Sequence, residues 1–284
     1  MTAPFRLGTI EHDGAPLAVV EVDERLYPAP DGLTVLELLD DWDRWADRLE
    51  PAGPEIELPT TWLPPVLSPR KVIGVGANYK DHLDHAGIPH PTTPYLFLKP
   101  ASTTQLGSGQ TLVIPRQVDF ADWEAELAVV IGRRARDLSE ADALGAVAGY
   151  TPANDFSARD WLANAIPPLG SDWLLHKGWD GFTPIGPLIT PAQFVPDPQS
   201  LGITLTLDGV TKQDGTTANM VFSVAQLVAH ASSVMTLEPG DVLLTGTPMG
   251  SGFALDEKER LEPGQTMRVT VGGLGTLVTP TVPE

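Results

Sequence analysis

The stretch Asp122-Trp123-Glu124-Ala125-Glu126-Leu127-Ala128-Val129-Val130-Ile131-Gly132 ends in a short apolar run closed by glycine. That is the pattern of a strand buried on both faces. Successive strand side chains point to opposite faces, so Glu124 and Glu126 share one face, about 7 Å apart along the chain. Two carboxylates at the mouth of a buried strand repel unless a cation or a proton lies between them. A hard divalent ion with oxygen ligands, Mg²⁺ or Mn²⁺, meets that need. A solvated strand edge with alternating charge is the plainer alternative.

Outward from this strand, most of the remaining signals are also β. Residues 5–29 alternate in polarity and turn at Asp13-Gly14 and Asp31-Gly32, which predicts a small antiparallel sheet. The spacing from Thr34 to Leu49 predicts a helix with Val35, Leu38, Leu39, Trp42, Trp45 and Leu49 on its inner face. Prolines at 51, 54, 59, 64, 65 and 69 then read as a linker. The expected division is a small N-terminal domain over 1–68 and a larger domain over 69–284. Strands are expected at 72–75, 201–207 (with a hairpin at Asp208-Gly209), 242–245 and 267–278. Helices are expected over 139–147 and 223–235. The fold class is mainly β with some α, an α+β arrangement without βαβ alternation.

The chain has 284 residues, with 18 Lys+Arg against 37 Asp+Glu and a net charge of −19. Such a balance argues against nucleic acid and against an anionic membrane surface as partners. With no cysteine there is no disulfide, zinc–thiolate site or thiol nucleophile. The opening residues lack the apolar core of a signal peptide, and no uncharged run nears the ~20 residues that cross a bilayer. A cytoplasmic location is expected.

Other segments carry candidate chemistry. In Asn154-Asp155-Phe156-Ser157-Ala158-Arg159-Asp160, Asp155 offers a third carboxylate and Arg159 a fork for a substrate carboxylate. His176-Lys177-Gly178-Trp179 sets a lysine among aromatics, and Thr245-Gly246-Thr247-Pro248 is a tight turn after a strand. Near the start of the larger domain, His82 and His85 lie three apart on one face of a short helix, and histidine is the natural proton carrier near neutral pH.

Taken in order, Asn78-Tyr79…His82, Phe97-Leu98-Lys99-Pro100, Asp122…Gly132, Gly149-Tyr150…Asp155…Arg159-Asp160, Lys177…Asp180, Pro184-Ile185-Gly186-Pro187 and Gly240-Asp241…Thr245-Gly246-Thr247-Pro248 resemble the fumarylacetoacetate hydrolase family over about residues 70–280. The resemblance implies a β-sandwich-like roll, a homodimer, and Mg²⁺ or Mn²⁺ held by Glu124, Glu126 and Asp155. It also implies 2-oxo or 2,4-dioxo acid substrates, and here a hydrolase that splits an acylpyruvate- or fumarylpyruvate-type acid into pyruvate and a second acid. His82, His85 and Lys177 would be catalytic, with Arg159, Thr247, Lys99 and Tyr79 binding substrate. A decarboxylase of oxaloacetate, an isomerase, a hydratase and a non-catalytic small-acid binder are the alternatives. Two departures from the family pattern bear on the reaction. Relatives often carry glutamate where His85 stands, and glutamine where Leu162 stands. A second imidazole cannot anchor a histidinium as a carboxylate does, so either His82 finds an acid elsewhere, from Asp81, Asp84 or residues 256–259, or the water-activating step is altered.

Overall fold

A computed structural model describes residues 4–59, 61–163 and 170–284. Its centre is the strand Ala125–Ile131, every residue of which is buried. This strand pairs antiparallel with Val147–Asn154 on one side and with Val242–Leu244 on the other. Both of its faces are apolar because both are covered. Leu127, Val129 and Ile131 enter the main core with Leu205, Met267 and Val269. Val130 meets Leu38, Trp42 and Trp45, while Ala128 meets Val72, Val242 and Leu244.

The strand lies within a nine-stranded sheet whose order is Arg25–Pro28, Ala15–Val22, Arg6–His12, Leu188–Pro191, Val147–Asn154, Ala125–Ile131, Val242–Leu244, Val72–Gly76 and Tyr95–Lys99. The first three strands of the chain join this sheet directly, Leu7 pairing with Ile189. A second sheet of five strands runs Val210–Thr216, Gly202–Leu207, Thr266–Val271, Gly275–Pro283 and Leu112–Ile114. Its apolar side packs on the first sheet through Leu205, Met267 and Leu277. The result is the expected β-rich α+β fold with two packed sheets.

Local signals explain most elements. Asp208 and Gly209 both have positive φ, 50° and 84°, which is the hairpin turn whose twist matches its flanking strands. Ser223 and Gln226 form a reciprocal capping box on the helix Val224–Val234. The helix expected over 34–49 is instead two short ones, Val35–Asp40 and Trp42–Trp45, broken at Asp41. Asp40, Asp41 and Asp43 are poor helix formers with like charge, so the turn opens there while the same apolar face stays buried. Over 139–147 the helix is confined to Glu140–Ala143 and passes into a 3₁₀ turn at Leu144–Ala146. Ser139 does not cap it but donates its hydroxyl proton to Asp142 at 2.6 Å.

Candidate active site

Strand pairing assembles the acidic centre. Asn154 pairs with Ala125, and the chain then continues so that the Asp155 N–H donates to the Glu124 carbonyl at 2.9 Å. The side-chain oxygen of Asn154 accepts the Glu124 N–H at 2.8 Å and locks that corner. Glu124, Glu126 and Asp155 thereby bring carboxylate oxygens within 4.8 Å of one another, and all three are buried. A hard cation takes oxygen donors at this closeness, and three buried carboxylates without one repel. The donor set therefore fits Mg²⁺ or Mn²⁺.

Cations from three other segments surround the triad. Lys177, on the helix Trp173–Lys177 capped by Asp172, donates to Glu124 Oε2 at 2.5 Å and to Asp155 Oδ2 at 2.7 Å. Lys99 donates to Asp155 Oδ1 and to the Phe182 carbonyl. Arg159 donates to Asp122 Oδ2 at 2.7 Å and to Glu124 Oε1. Four buried carboxylates (Asp122, Glu124, Glu126, Asp155) thus face three cations, leaving one negative charge uncompensated. Burial opposes ionisation of Glu124, but Lys177 and Arg159 outweigh it and hold that carboxyl well below the usual range. Glu126 goes the other way. Burial, then Asp155 and Glu124, push it well above an ordinary carboxylate.

The centre opens into a cavity of about 220 Å³. Its polar wall is Glu124, Glu126, Asp155, Arg159, Lys177, His82 and Thr247. Val75, Ile88, Phe97, Leu162 and Trp173 form an apolar wall, with His176 beside them. His82 presents a buried Nδ1 with no hydrogen-bond partner, and burial lowers its pKa below the usual histidine value.

Several expected roles look different in place. His85, on the same helix as His82, is exposed, lies outside the cavity wall and sits 3.6 Å from Asp256. Nor does His82 gain an acid: Asp81 Oδ1 accepts the His82 backbone N–H, and Asp84 meets His90. Arg159 lines the cavity, but its fork is engaged by Asp122 and Glu124, because Ser157–Ala158 pairs with Ala121–Asp122. The Thr247 hydroxyl donates to the Ala125 carbonyl at 2.8 Å and accepts from Gln213 at 2.9 Å. Thr245 likewise donates to the Leu127 carbonyl, so these hydroxyls turn inward to the strand. Lys99 and Tyr79 lie behind the cavity wall and are buried.

Sequence reading assigned no role to the Gly246 N–H, which donates to Glu126 Oε2 at 2.7 Å, or to Asp122, which binds Arg159 and accepts the Gly252 N–H at 2.7 Å. Trp173 and His176 were also without a role. A histidine next to Lys177 in an apolar helix was the one available signal for the last.

A family model described as Fumarylacetoacetate (FAA) hydrolase C-terminal matches residues 71–282. The chain belongs to the fumarylacetoacetate hydrolase family. A protein of Burkholderia cenocepacia (strain HI2424), provisionally named as a hydrolase, is 46% identical over 206 residues, covering 72% of this chain and 71% of the relative. The fumarylacetoacetate hydrolase of Exiguobacterium antarcticum superposes with a TM-score of 0.83 at 30% identity, over 99% of this chain and 100% of that one. A 5-carboxymethyl-2-hydroxymuconate delta-isomerase from Mycobacterium smegmatis superposes at 0.78 with 32% identity, over 98% and 99%. This fumarylacetoacetate hydrolase fold thus houses proteins named for hydrolysis and for isomerisation, and this family member's own reaction has to be argued from its site.

Proposed function

We propose that this enzyme is a divalent-metal-dependent hydrolase that cleaves the C–C bond of an acylpyruvate-type 2,4-dioxo acid, giving pyruvate and a second acid. The observation that carries the reading is the buried triad Glu124, Glu126 and Asp155, with Lys177 and His82 lining the same cavity. When bound, Mg²⁺ or Mn²⁺ would neutralise the substrate's carboxylate and polarise its 2-oxo group. His82, kept neutral by burial, accepts a proton from the attacking water. Water adds to the 4-carbonyl carbon, and the C3–C4 bond breaks with its electron pair retained by the pyruvate half. Protonation of C3 completes pyruvate. Lys177, held charged by Asp155 and Glu124 against the cost of burial, offsets the negative charge that grows there.

A second reading is an isomerase or decarboxylase of a related 2-oxo acid, which uses the same charge stabilisation without water attack. It is favoured by the His82 Nδ1, which has no acid partner among the described residues. An assay of 2-oxo and 2,4-dioxo acids with Mg²⁺ or Mn²⁺, following both pyruvate and carbon dioxide, separates the two. Metal-dependent pyruvate release from an acylpyruvate supports the hydrolase. Carbon dioxide from oxaloacetate, or a spectral shift without cleavage, supports the second reading.

A further inference from the structure

The apolar wall of the cavity has its own chemistry. Phe97 stacks on Trp173 with ring centroids 5.0 Å apart and planes 26° from parallel, and Tyr95, on the same strand, also meets Trp173 at 5.2 Å with planes tilted by 43°. Val75, Ile88 and Leu162 complete this wall. The only lysine or arginine side chains lining the cavity, among the described residues, are Arg159 and Lys177, and each is engaged by two buried carboxylates. The undescribed segment 164–169, Asn-Ala-Ile-Pro-Pro-Leu, contains no charged residue.

Resting on the oxo-acid reading above, we propose that this cavity selects monocarboxylic oxo acids with an apolar, preferentially aryl, acyl group and excludes those with a second carboxylate. Hydration decides between the two. An ionised carboxylate moved onto an apolar wall without a counter-cation gives up its hydration with nothing to replace it. Beside that wall, among the described residues, stands His176, whose ring nitrogens are both buried and without a hydrogen-bond partner. Burial, with Lys177 and Arg159 nearby, pushes His176 down to about 2, so it is a neutral imidazole. A neutral imidazole supplies no counter-charge, which leaves the second carboxylate unfavourable. An aryl ring, by contrast, gains aromatic contact with the Trp173–Phe97 pair as well as area burial.

The test compares phenylpyruvate with 2-oxoglutarate, 2-oxo acids that end in an aryl group and in a carboxylate, the latter on a chain one methylene longer. Binding to the full chain is measured by calorimetry in excess Mg²⁺, with wild type and Leu162→Arg. Phenylpyruvate binding at least about 10-fold tighter to wild type is the expected result, with the arginine variant shifting preference toward 2-oxoglutarate. Equal affinities, tighter 2-oxoglutarate binding, or no binding of the aryl acid overturns the proposal on wild type alone, whether or not the variant folds. Pyruvate release from benzoylpyruvate is followed in parallel. Aryl preference without cleavage leaves the selectivity standing and removes the hydrolase reading, so the two failures are distinguishable.

Discussion

Glu126 Oε2 accepts the backbone N–H of Gly246 at 2.7 Å, and Glu126 is the one carboxylate of the triad that no lysine or arginine touches among the described residues. With its pKa raised by burial, then by Asp155 and Glu124, it holds a proton that a metal must displace. Affinity for Mg²⁺ or Mn²⁺ therefore rises with pH until the raised pKa is passed, with release of up to one proton. Calorimetry in buffers of different ionisation heat measures both. The sign for stability follows from the same shift. A raised folded-state pKa contributes stability that is fully present below the ordinary carboxylate pKa and is lost as pH rises through the raised one. Metal-free protein should lose melting temperature across that window, and added metal should restore it.

That relationship also marks what was legible in sequence. The E-x-E spacing put Glu124 and Glu126 on one face, and the apolar run after them identified a strand buried on both sides. Asp155 was legible as a third carboxylate, but its joining the other two rested on a resemblance, because its approach depends on Val147–Asn154 pairing beside Ala125–Ile131. Gly246 was not legible at all. Its N–H reaches Glu126 because Val242–Leu244 lies next to that strand, and sheet order is not written in local periodicity. Arg159 looks available for a substrate until the fold sets Asp122 beside it, and Lys99, given that role by the resemblance alone, is set against Asp155 in the same way.

The Lys99–Asp155 contact is a buried ion pair, both side chains being almost fully excluded from solvent. Lys99→Met leaves Asp155 short of a partner and should cost about 3–5 kcal/mol. Arg70→Met, which removes the exposed pair with Asp40, should cost within about 1 kcal/mol. Urea denaturation of the two variants checks the contrast.

His82 lines the cavity and His85 does not. His82→Ala should lower kcat by about 10²–10⁴-fold while leaving metal affinity within about twofold. Because burial lowers the His82 pKa below 6.5, wild-type activity at saturating metal should hold on the mildly acidic side and decline only below that value. His85→Ala, altering an exposed ring beside Asp256, should leave kcat within about twofold. Steady-state rates across pH for both variants are the measurement.

Gly246 has φ of +90°, and a Cβ there would lie 2.9 Å from the Asn78 Cβ. Asn78 is itself held by bonds to the Thr245 and Phe222 carbonyls, so it has little room to yield. Gly246→Ala should therefore destabilise the chain by about 1–3 kcal/mol and weaken metal binding by displacing the N–H from Glu126. Melting temperature and Mn²⁺ affinity of this variant test both effects together.

The acidic centre is tested most directly by Mn²⁺ titration followed by electron paramagnetic resonance, on wild type and on Glu126→Gln. The glutamine keeps shape and can still accept the Gly246 N–H, so folding is spared while the charge is removed. One Mn²⁺ bound per wild-type chain, with affinity at least about 100-fold weaker in Glu126→Gln, is the predicted result. Equal affinity in the two proteins, or no binding to wild type, would contradict the assignment of Glu124, Glu126 and Asp155 as a metal centre.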